Sequence, residues 1–347
     1  MVADRTVITE LATALGTLPC PDLATALASR SPVLRIDRQT WERLQVLYGT
    51  GDHRRYFDSA YRNGRAFSQA GDGLAGRAPR IIEWTGGRRP SGDEVAPIDL
   101  RIDHVYLISC KYLSANIANP SPARLFDGLL ATSGSWERMD WYQMLAPDEY
   151  QNLYQACRTA TGLDELPDLV TELTTAHRKR LRRALSDREY PKSAQAAYRD
   201  LCRAVSSISA ERWKARLATI DPERVLLRLL RIGSAPYYLL GAHGSSNTRI
   251  RIDTSWDWHH AYRVIRLTVC AAEAGQPRVN WNAEFAPRST KSAHVIEGHV
   301  EVRWSHGRFG QPPEAKIYLD TPIDQLPGYN RLESMTGSLG QGELPFE

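Results

Sequence analysis

The stretch of sequence that decides the fold is Pro97-Ile-Asp-Leu-Arg-Ile-Asp-His-Val-Tyr-Leu-Ile-Ser-Cys-Lys-Tyr112. Apolar and polar residues alternate along two short segments, 98–102 and 105–113. Such alternation is typical of β-strands that bury one face, and a short turn between two of them indicates a hairpin. We therefore expect a pair of antiparallel strands at this point of the chain.

The register of this hairpin follows from its apolar residues. If the turn has an odd number of residues, Leu100 pairs with Ile108. The apolar side chains of the two strands then lie on the same face of the hairpin. Asp99 then lies across from Ser109, beside Lys111. A slip of one residue would place Asp99 among apolar side chains, so the pattern favours the register that gathers these three polar residues.

An aspartate and a lysine on rigid neighbouring strands suit phosphodiester hydrolysis. The Asp99 carboxylate would hold Mg²⁺, and Lys111 would orient the attacking water and stabilise charge on the phosphate. The alternative is that Asp99 and Lys111 form a structural salt bridge. A lysine at the end of an apolar strand needs a charged partner, and Asp99 would supply it.

The order Pro97-x-Asp99, a short hairpin and then Lys111 resembles the PD-(D/E)XK nuclease superfamily. This resemblance implies that Asp99 and a carboxylate two residues before the lysine bind metal and that the lysine acts on water. Ser109 occupies the second acidic position here, so another carboxylate must replace it. Glu83 on the preceding strand is our first candidate, and the predicted site is Asp99, Lys111, Glu83 and Ser109, with Asp99 and Glu83 holding Mg²⁺ or Mn²⁺.

The remaining pattern predicts an α+β protein. We expect a restriction-endonuclease-like mixed sheet core flanked by helices, with a C-terminal antiparallel β domain. The predicted divisions are a helical N-terminus and nuclease core at 1–135, a helical basic segment at 136–235, an antiparallel β domain at 236–330 and a flexible tail at 331–347. The strand near Tyr237 is a candidate to join the nuclease core.

Positive charge is concentrated in one part of the chain. Between Val170 and Ile232 there are 15 Lys and Arg against 7 Asp and Glu, although the formal net charge of the chain is only +4. A local basic segment indicates an anionic partner, for which we expect DNA; a solvated helix face is the alternative. The predicted nucleic-acid-binding residues are Arg88, Arg89, Asn116, Asn119, Arg124, Arg178, Lys179, Arg180, Arg303 and Arg308.

The C-terminal segment is rich in tryptophan. We place Trp256, Trp258, Trp281 and Trp304 in the predicted sheet, where most would pack in the core. Some of these rings could instead stack on bases or line a pocket for a modified or rotated-out base.

Several classes of protein are disfavoured by composition. Five widely spaced cysteines show neither zinc-ligand spacing nor a disulfide framework, which favours a reducing, cytoplasmic location. We find no apolar leader at the N-terminus and no run near the ~18 apolar residues that a membrane span needs, so we expect no membrane contact.

The function that we expect is metal-dependent hydrolysis of DNA by an endonuclease acting in restriction, phage defence or repair. Cutting two strands needs two active sites, so a homodimer is one expectation and a partner protein from the same operon is another. An alternative is a catalytically inactive nuclease-like DNA-recognition module, which Ser109 supports. A third is a ligand-binding β domain with a helical partner, unrelated to DNA.

Overall fold

The computed structural model describes residues 3–86, 98–112, 116–131, 139–186, 189–243, 246–290 and 292–332. Arg88, Arg89, Pro97 and the expected tail beyond residue 332 therefore lie outside the described residues. The helices are α1 (Asp4–Gly16), α2 (Leu23–Ser29), α3 (Arg38–Gly49), α4 (Arg54–Gln69), α5 (Pro122–Phe126), α6 (Trp141–Leu145), α7 (Pro147–Ala160), α8 (Thr175–Ala184), α9 (Gln195–Leu217), α10 (Pro222–Leu229) and α11 (Ser255–Ala261).

The strands are β1 (Leu34–Arg35), β2 (Ile82–Trp84), β3 (Leu100–Ile102), β4 (Tyr106–Tyr112), β5 (Asn116–Ala118), β6 (Tyr237–His243), β7 (Ser246–Ile252), β8 (Tyr262–Glu273), β9 (Pro277–Pro287), β10 (His294–Arg303), β11 (Glu314–Leu319) and β12 (Tyr329–Arg331). The protein is therefore of the mixed α+β class, with one mixed and one antiparallel sheet.

The chain forms two compact units that alternate along the sequence. Unit 1 contains Met1–Ser114, Ile232–Trp258 and Pro327–Glu347, and unit 2 contains Ala115–Arg231 and His259–Leu326. The helical basic segment and most of the C-terminal strands, which the sequence assigned to separate divisions, thus share unit 2.

Unit 1 contains a seven-stranded sheet in the order β1-β2-β3-β4-β6-β7-β12. The β1–β2 and β4–β6 pairs are parallel, and the other neighbours are antiparallel. The predicted hairpin register is confirmed, because Leu100 pairs with Ile108 and Ile102 with Tyr106. The strand near Tyr237 does join this sheet, as β6, beside β4.

Helices α1 and α4 cover one face of this sheet and cross at two glycines. A Cβ on Gly64 would lie 2.0 Å from the Thr13 carbonyl oxygen, and one on Gly16 would lie 2.2 Å from the Tyr61 carbonyl oxygen. The absence of side chains at both positions lets the two backbones touch. This close approach holds α1 against the sheet, where its apolar residues join the buried cluster that includes Leu100 and Ile108.

Unit 2 contains a five-stranded antiparallel sheet in the order β5-β11-β10-β9-β8. Helix α9 packs across β8 and β9, and its buried Trp213 meets Phe126 of α5 edge to face. The indole N–H of Trp141 donates to Ser209 Oγ at 2.9 Å, which joins α6 to α9. The helices and the sheet therefore share one aromatic core.

The sequence placed Trp256 and Trp258 in the C-terminal sheet, and this prediction is wrong. Both lie on α11, which begins where Thr254 and Asp257 cap each other: Asp257 N donates to Thr254 Oγ1 at 3.1 Å, and Thr254 N donates to Asp257 Oδ2 at 3.2 Å. Reciprocal capping of this kind starts a helix. Trp258 and Trp281 are buried as expected, whereas Trp256 is 67% exposed.

The helix crossing can be tested at Gly64. We expect Gly64→Ala to lower the free energy of unfolding by at least about 2 kcal/mol, because the new methyl would overlap the Thr13 carbonyl. Gly49, the last residue of α3, is the matched control, since a Cβ there meets nothing within 4 Å. Gly49→Ala should be neutral or stabilising by up to about 1 kcal/mol. Urea unfolding of both variants checks this; equal stability would contradict the close crossing.

Candidate active site

Asp99 ends the hydrogen-bonded ladder between β3 and β4. Its backbone N–H donates to the Ile108 carbonyl at 2.8 Å, and its Oδ2 accepts from the Cys110 backbone N–H at 2.6 Å. The carboxylate thus takes the place of the next backbone acceptor along the ladder. Asp99 is therefore tied to β4 twice, by its backbone N–H and by its carboxylate.

Glu10 of α1 is the second carboxylate of the site. It is only 6% exposed, and its Oε2 accepts from Trp84 Nε1 at 2.6 Å. Burial, and next the negative charge of Asp99, raise the pKa of the Glu10 carboxyl from its ordinary value of 4.5 to about 8. Two close carboxylates in a buried place bind a proton tightly or attract a cation.

The Cys110 thiol reports the same electrostatic field. Burial, and then the negative charges of Asp99 and Glu10, raise the pKa of this thiol well above its usual range. The thiol is therefore held in its neutral form.

Sequence reasoning missed Glu10, although its position gives a signal. In the sequence, α1 has the pattern of an apolar helix, with Val7, Leu11 and Leu15 at helical spacing. Glu10 lies three residues after Val7 and four before Ala14, so it interrupts the apolar face itself. A charged residue inside a buried helical face is unusual and marks a position where the chemistry of the side chain matters.

Ser109 and Lys111 occupy the strand beside Asp99. Ser109 is 1% exposed, and its Oγ has no hydrogen-bond partner among the described residues. Lys111 is half-buried and pairs with Gly241 of β6, where a Cβ would lie 1.8 Å from the Lys111 carbonyl oxygen. The neighbouring Tyr112 faces α1 and α4, so alternation directs Lys111 to the opposite face of the sheet. Glu10 and Lys111 therefore lie on different faces, with Asp99 at the ladder end between them.

The structure directs Glu83 towards the hairpin turn. Glu83 pairs with Arg101, and its Oε2 lies 3.2 Å from His104 Nδ1. This contact is at the opposite end of β3 from Asp99. Asp103, a weaker candidate ligand in the same turn, accepts instead from the backbone N–H groups of Arg80 and Ile81 at 2.7 and 3.0 Å. Metal binding by Glu83 stays a prediction.

A buried amide fixes the strands that carry Lys111. Asn63 of α4 is fully buried, and its Nδ2 donates to Tyr112 Oη at 3.1 Å and to the Gly241 carbonyl at 2.8 Å. Its Oδ1 accepts from Arg249 Nε at 2.9 Å. Asn63 thus joins three neighbouring strands, β4, β6 and β7, at the level of Lys111.

The carboxylates around Asp99 decide whether the site fits Mg²⁺. In the described part of the chain, no group of three or more His, Cys, Asp or Glu side chains is arranged to hold a metal ion. Magnesium often needs only one or two carboxylates and keeps several waters. Glu10 and Asp99 are two carboxylates that interact electrostatically, whereas Glu83 is directed to His104 at the other end of β3.

The predicted nucleic-acid-binding residues within the described ranges lie in unit 2, and several are engaged internally. Arg178 Nη1 donates to the Phe309 carbonyl at 3.0 Å, and Arg180 pairs with Glu165. Asn116 Nδ2 donates to Asn119 Oδ1 at 2.5 Å. Arg124 belongs to the five-residue helix α5, which Ser121 caps, whereas Lys179 is exposed.

Comparisons with models of protein families, with curated proteins and with solved structures found no match. A search of the described residues for a helix of the length and apolarity that a membrane crossing requires found none.

The raised pKa of Glu10 predicts how stability varies with pH. The folded state keeps the proton up to about pH 8, whereas the unfolded state releases it near 4.5, so stability falls as the pH rises between these values. Without metal, Glu10→Gln should match the wild type near pH 5 and be more stable by about 1–3 kcal/mol at pH 8. Urea unfolding at both pH values checks this, with exposed Glu42→Gln as the control. Parallel pH dependence in wild type and variant would contradict the raised pKa of Glu10.

The role of Asn63 predicts a large loss of stability. Asn63→Leu would leave the Tyr112 hydroxyl, the Gly241 carbonyl and the Arg249 guanidinium without this partner, which should cost about 2–4 kcal/mol. Asn330, exposed on β12 and bonded only to Asp253 among the described residues, serves as the control, and Asn330→Ala should cost less than about 1 kcal/mol. Thermal unfolding distinguishes the two; similar losses would mean that Asn63 does not join the strands.

Proposed function

We propose that this protein is a nuclease of the PD-(D/E)XK type that hydrolyses phosphodiester bonds in DNA with Mg²⁺ or Mn²⁺. The observation that carries the proposal is the carboxylate pair formed by Asp99 and Glu10 at the end of the β3–β4 ladder, with Lys111 on the adjoining strand. The mixed sheet flanked by helices supports it, since a sheet of this kind is what the resemblance implies.

The proposal gives each residue a role. Asp99 and Glu10 would hold the ion, which when bound supplies Lewis-acid polarisation of the scissile phosphate and a water of lowered pKa. Lys111 would orient the attacking water and stabilise the charge that builds on the phosphate oxygens. Ser109, whose buried Oγ has no partner among the described residues, would line the site.

A second function is favoured by one observation. Ser109 replaces a carboxylate at the position where the resemblance places a metal ligand, and Glu10 and Lys111 lie on different faces of the sheet. A protein that no longer cleaves DNA would still bind it as a recognition module. Its affinity for DNA would fall as the salt concentration rises. Restriction, phage defence and repair remain the proposed settings for either function.

The proposal is tested by cleavage of modified and unmodified plasmid and phage DNAs with Mg²⁺ or Mn²⁺. Lys111→Ala, Asp99→Asn and Glu10→Gln should each lower the rate by about 10²–10³-fold, because each removes a group that acts on the reacting phosphate or on its ion. Glu42→Gln on the exposed face of α3 should cut like the wild type.

Two further outcomes are decisive. Loss of cutting in Glu83→Gln but not in Glu10→Gln would restore the ligand set predicted from the sequence. No cutting of any substrate, with salt-dependent DNA binding intact, would replace the nuclease by the recognition module.

A further inference from the structure

Unit 2 contains a cavity of about 630 Å³ that the proposed chemistry does not use. It lies between the first turns of α9, the turn that joins β8 to β9 and the segment after β10. Its volume is within the range of small-molecule sites. The side chains that define its character are Tyr198, Arg199, Gln276, Arg303, Trp304 and Arg308.

One wall of the cavity is a fixed planar surface. The Arg308 guanidinium stacks over the Tyr190 ring, 3.9 Å from its centroid. Arg308 Nη1 also donates to the carbonyls of Leu185 and Glu189, at 3.1 Å each. A guanidinium held in this way keeps its plane, and such planes stack on aromatic ligands. Tyr190, Tyr198 and Trp304 give the cavity three aromatic rings among its lining residues, beside this guanidinium.

The charge of the lining favours an anion. Three arginines line the cavity against one acidic residue, Glu189. Arg303 is partly neutralised, since its Nε lies 3.4 Å from Glu301 Oε2 and its Nη2 donates to Tyr318 Oη at 2.9 Å. Arg199 is exposed and has no ion pair among the described residues. Arg199 is therefore the group best placed to meet a phosphate.

Two amides add directional hydrogen bonding. Gln195 lines the cavity, and its Nε2–H donates to the Tyr190 carbonyl at 3.2 Å, which fixes the amide. Gln276 lies in the turn between β8 and β9 and is half-buried. An amide presents a donor and an acceptor side by side, which matches the edge of a nucleobase.

We propose that this cavity binds a single nucleotide that is rotated out of a DNA duplex. The base lies against the flat groups, its edge meets Gln276, and its phosphate meets Arg199. A free inorganic anion would need the arginines but not the flat walls or the amides, so the combined lining favours a nucleotide. The inference rests on the proposed function in taking DNA as the partner, and it adds that unit 2 recognises the target through an extruded base.

The first experiment measures binding alone, with the full chain and EDTA. Deoxynucleoside monophosphates are titrated, with inorganic phosphate as the comparison, and a duplex carrying 2-aminopurine reports base extrusion by a rise in fluorescence. We expect Arg199→Ala and Gln276→Ala each to weaken nucleotide binding by about tenfold or more and to suppress the fluorescence rise. Arg216→Ala, an exposed arginine near the other end of α9, should bind like the wild type.

The outcomes separate this inference from the proposed function. Equal nucleotide affinity in all variants, or inorganic phosphate binding as tightly as nucleotides, would overturn the nucleotide cavity even if the wild type cuts DNA. Nucleotide binding that depends on Arg199 and Gln276, in a protein that cuts no DNA, would support the cavity and remove the hydrolytic function.

Discussion

Burial of Leu100 and Ile108 on the same face of the β3–β4 pair is the constraint on which unit 1 depends. Both side chains are fully buried beneath α1 and α4, so the two strands can pair in only one register without exposing one of them. That register sets Asp99 at the ladder end and Lys111 beside β6. The polar residues of the site have their positions because apolar neighbours fix the backbone that carries them.

Much of unit 1 could be predicted from sequence because its signals are local. Alternation with a period of two identified the hairpin, an apolar run indicated the buried strand near Tyr237, and both predictions are confirmed. Glu10 interrupts the apolar face of α1, which marks the position, but its electrostatic interaction with Asp99 joins distant segments and no local period records it. The division into two units was missed for the same reason: sequence pattern shows elements, whereas packing between distant segments decides which of them share a core.

In the basic segment, the number of Lys and Arg residues overstates the positive charge that is available to a partner. The excess of Lys and Arg between Val170 and Ile232 was read as a surface for DNA. In the structure Arg178 donates to the Phe309 carbonyl, Arg180 pairs with Glu165, and Arg212 donates two hydrogen bonds to Asp127 at 3.0 and 2.8 Å. Long side chains that fix loops contribute less to a field around the molecule than their number indicates. Lys179, Arg199 and Arg216 are among the cations of this segment that stay exposed.

The order of the strands along the chain has a consequence for biosynthesis. β4 ends at Tyr112 and its parallel neighbour β6 begins at Tyr237, so more than a hundred residues of unit 2 are translated between two adjacent strands of one sheet. The last strand of that sheet, β12, follows only after β11 of unit 2. A nascent chain therefore cannot complete the sheet of unit 1 until nearly all of unit 2 has left the ribosome. Such distant pairing slows folding, and it delays the assembly of Asp99 and Lys111 on a finished scaffold until synthesis is almost over.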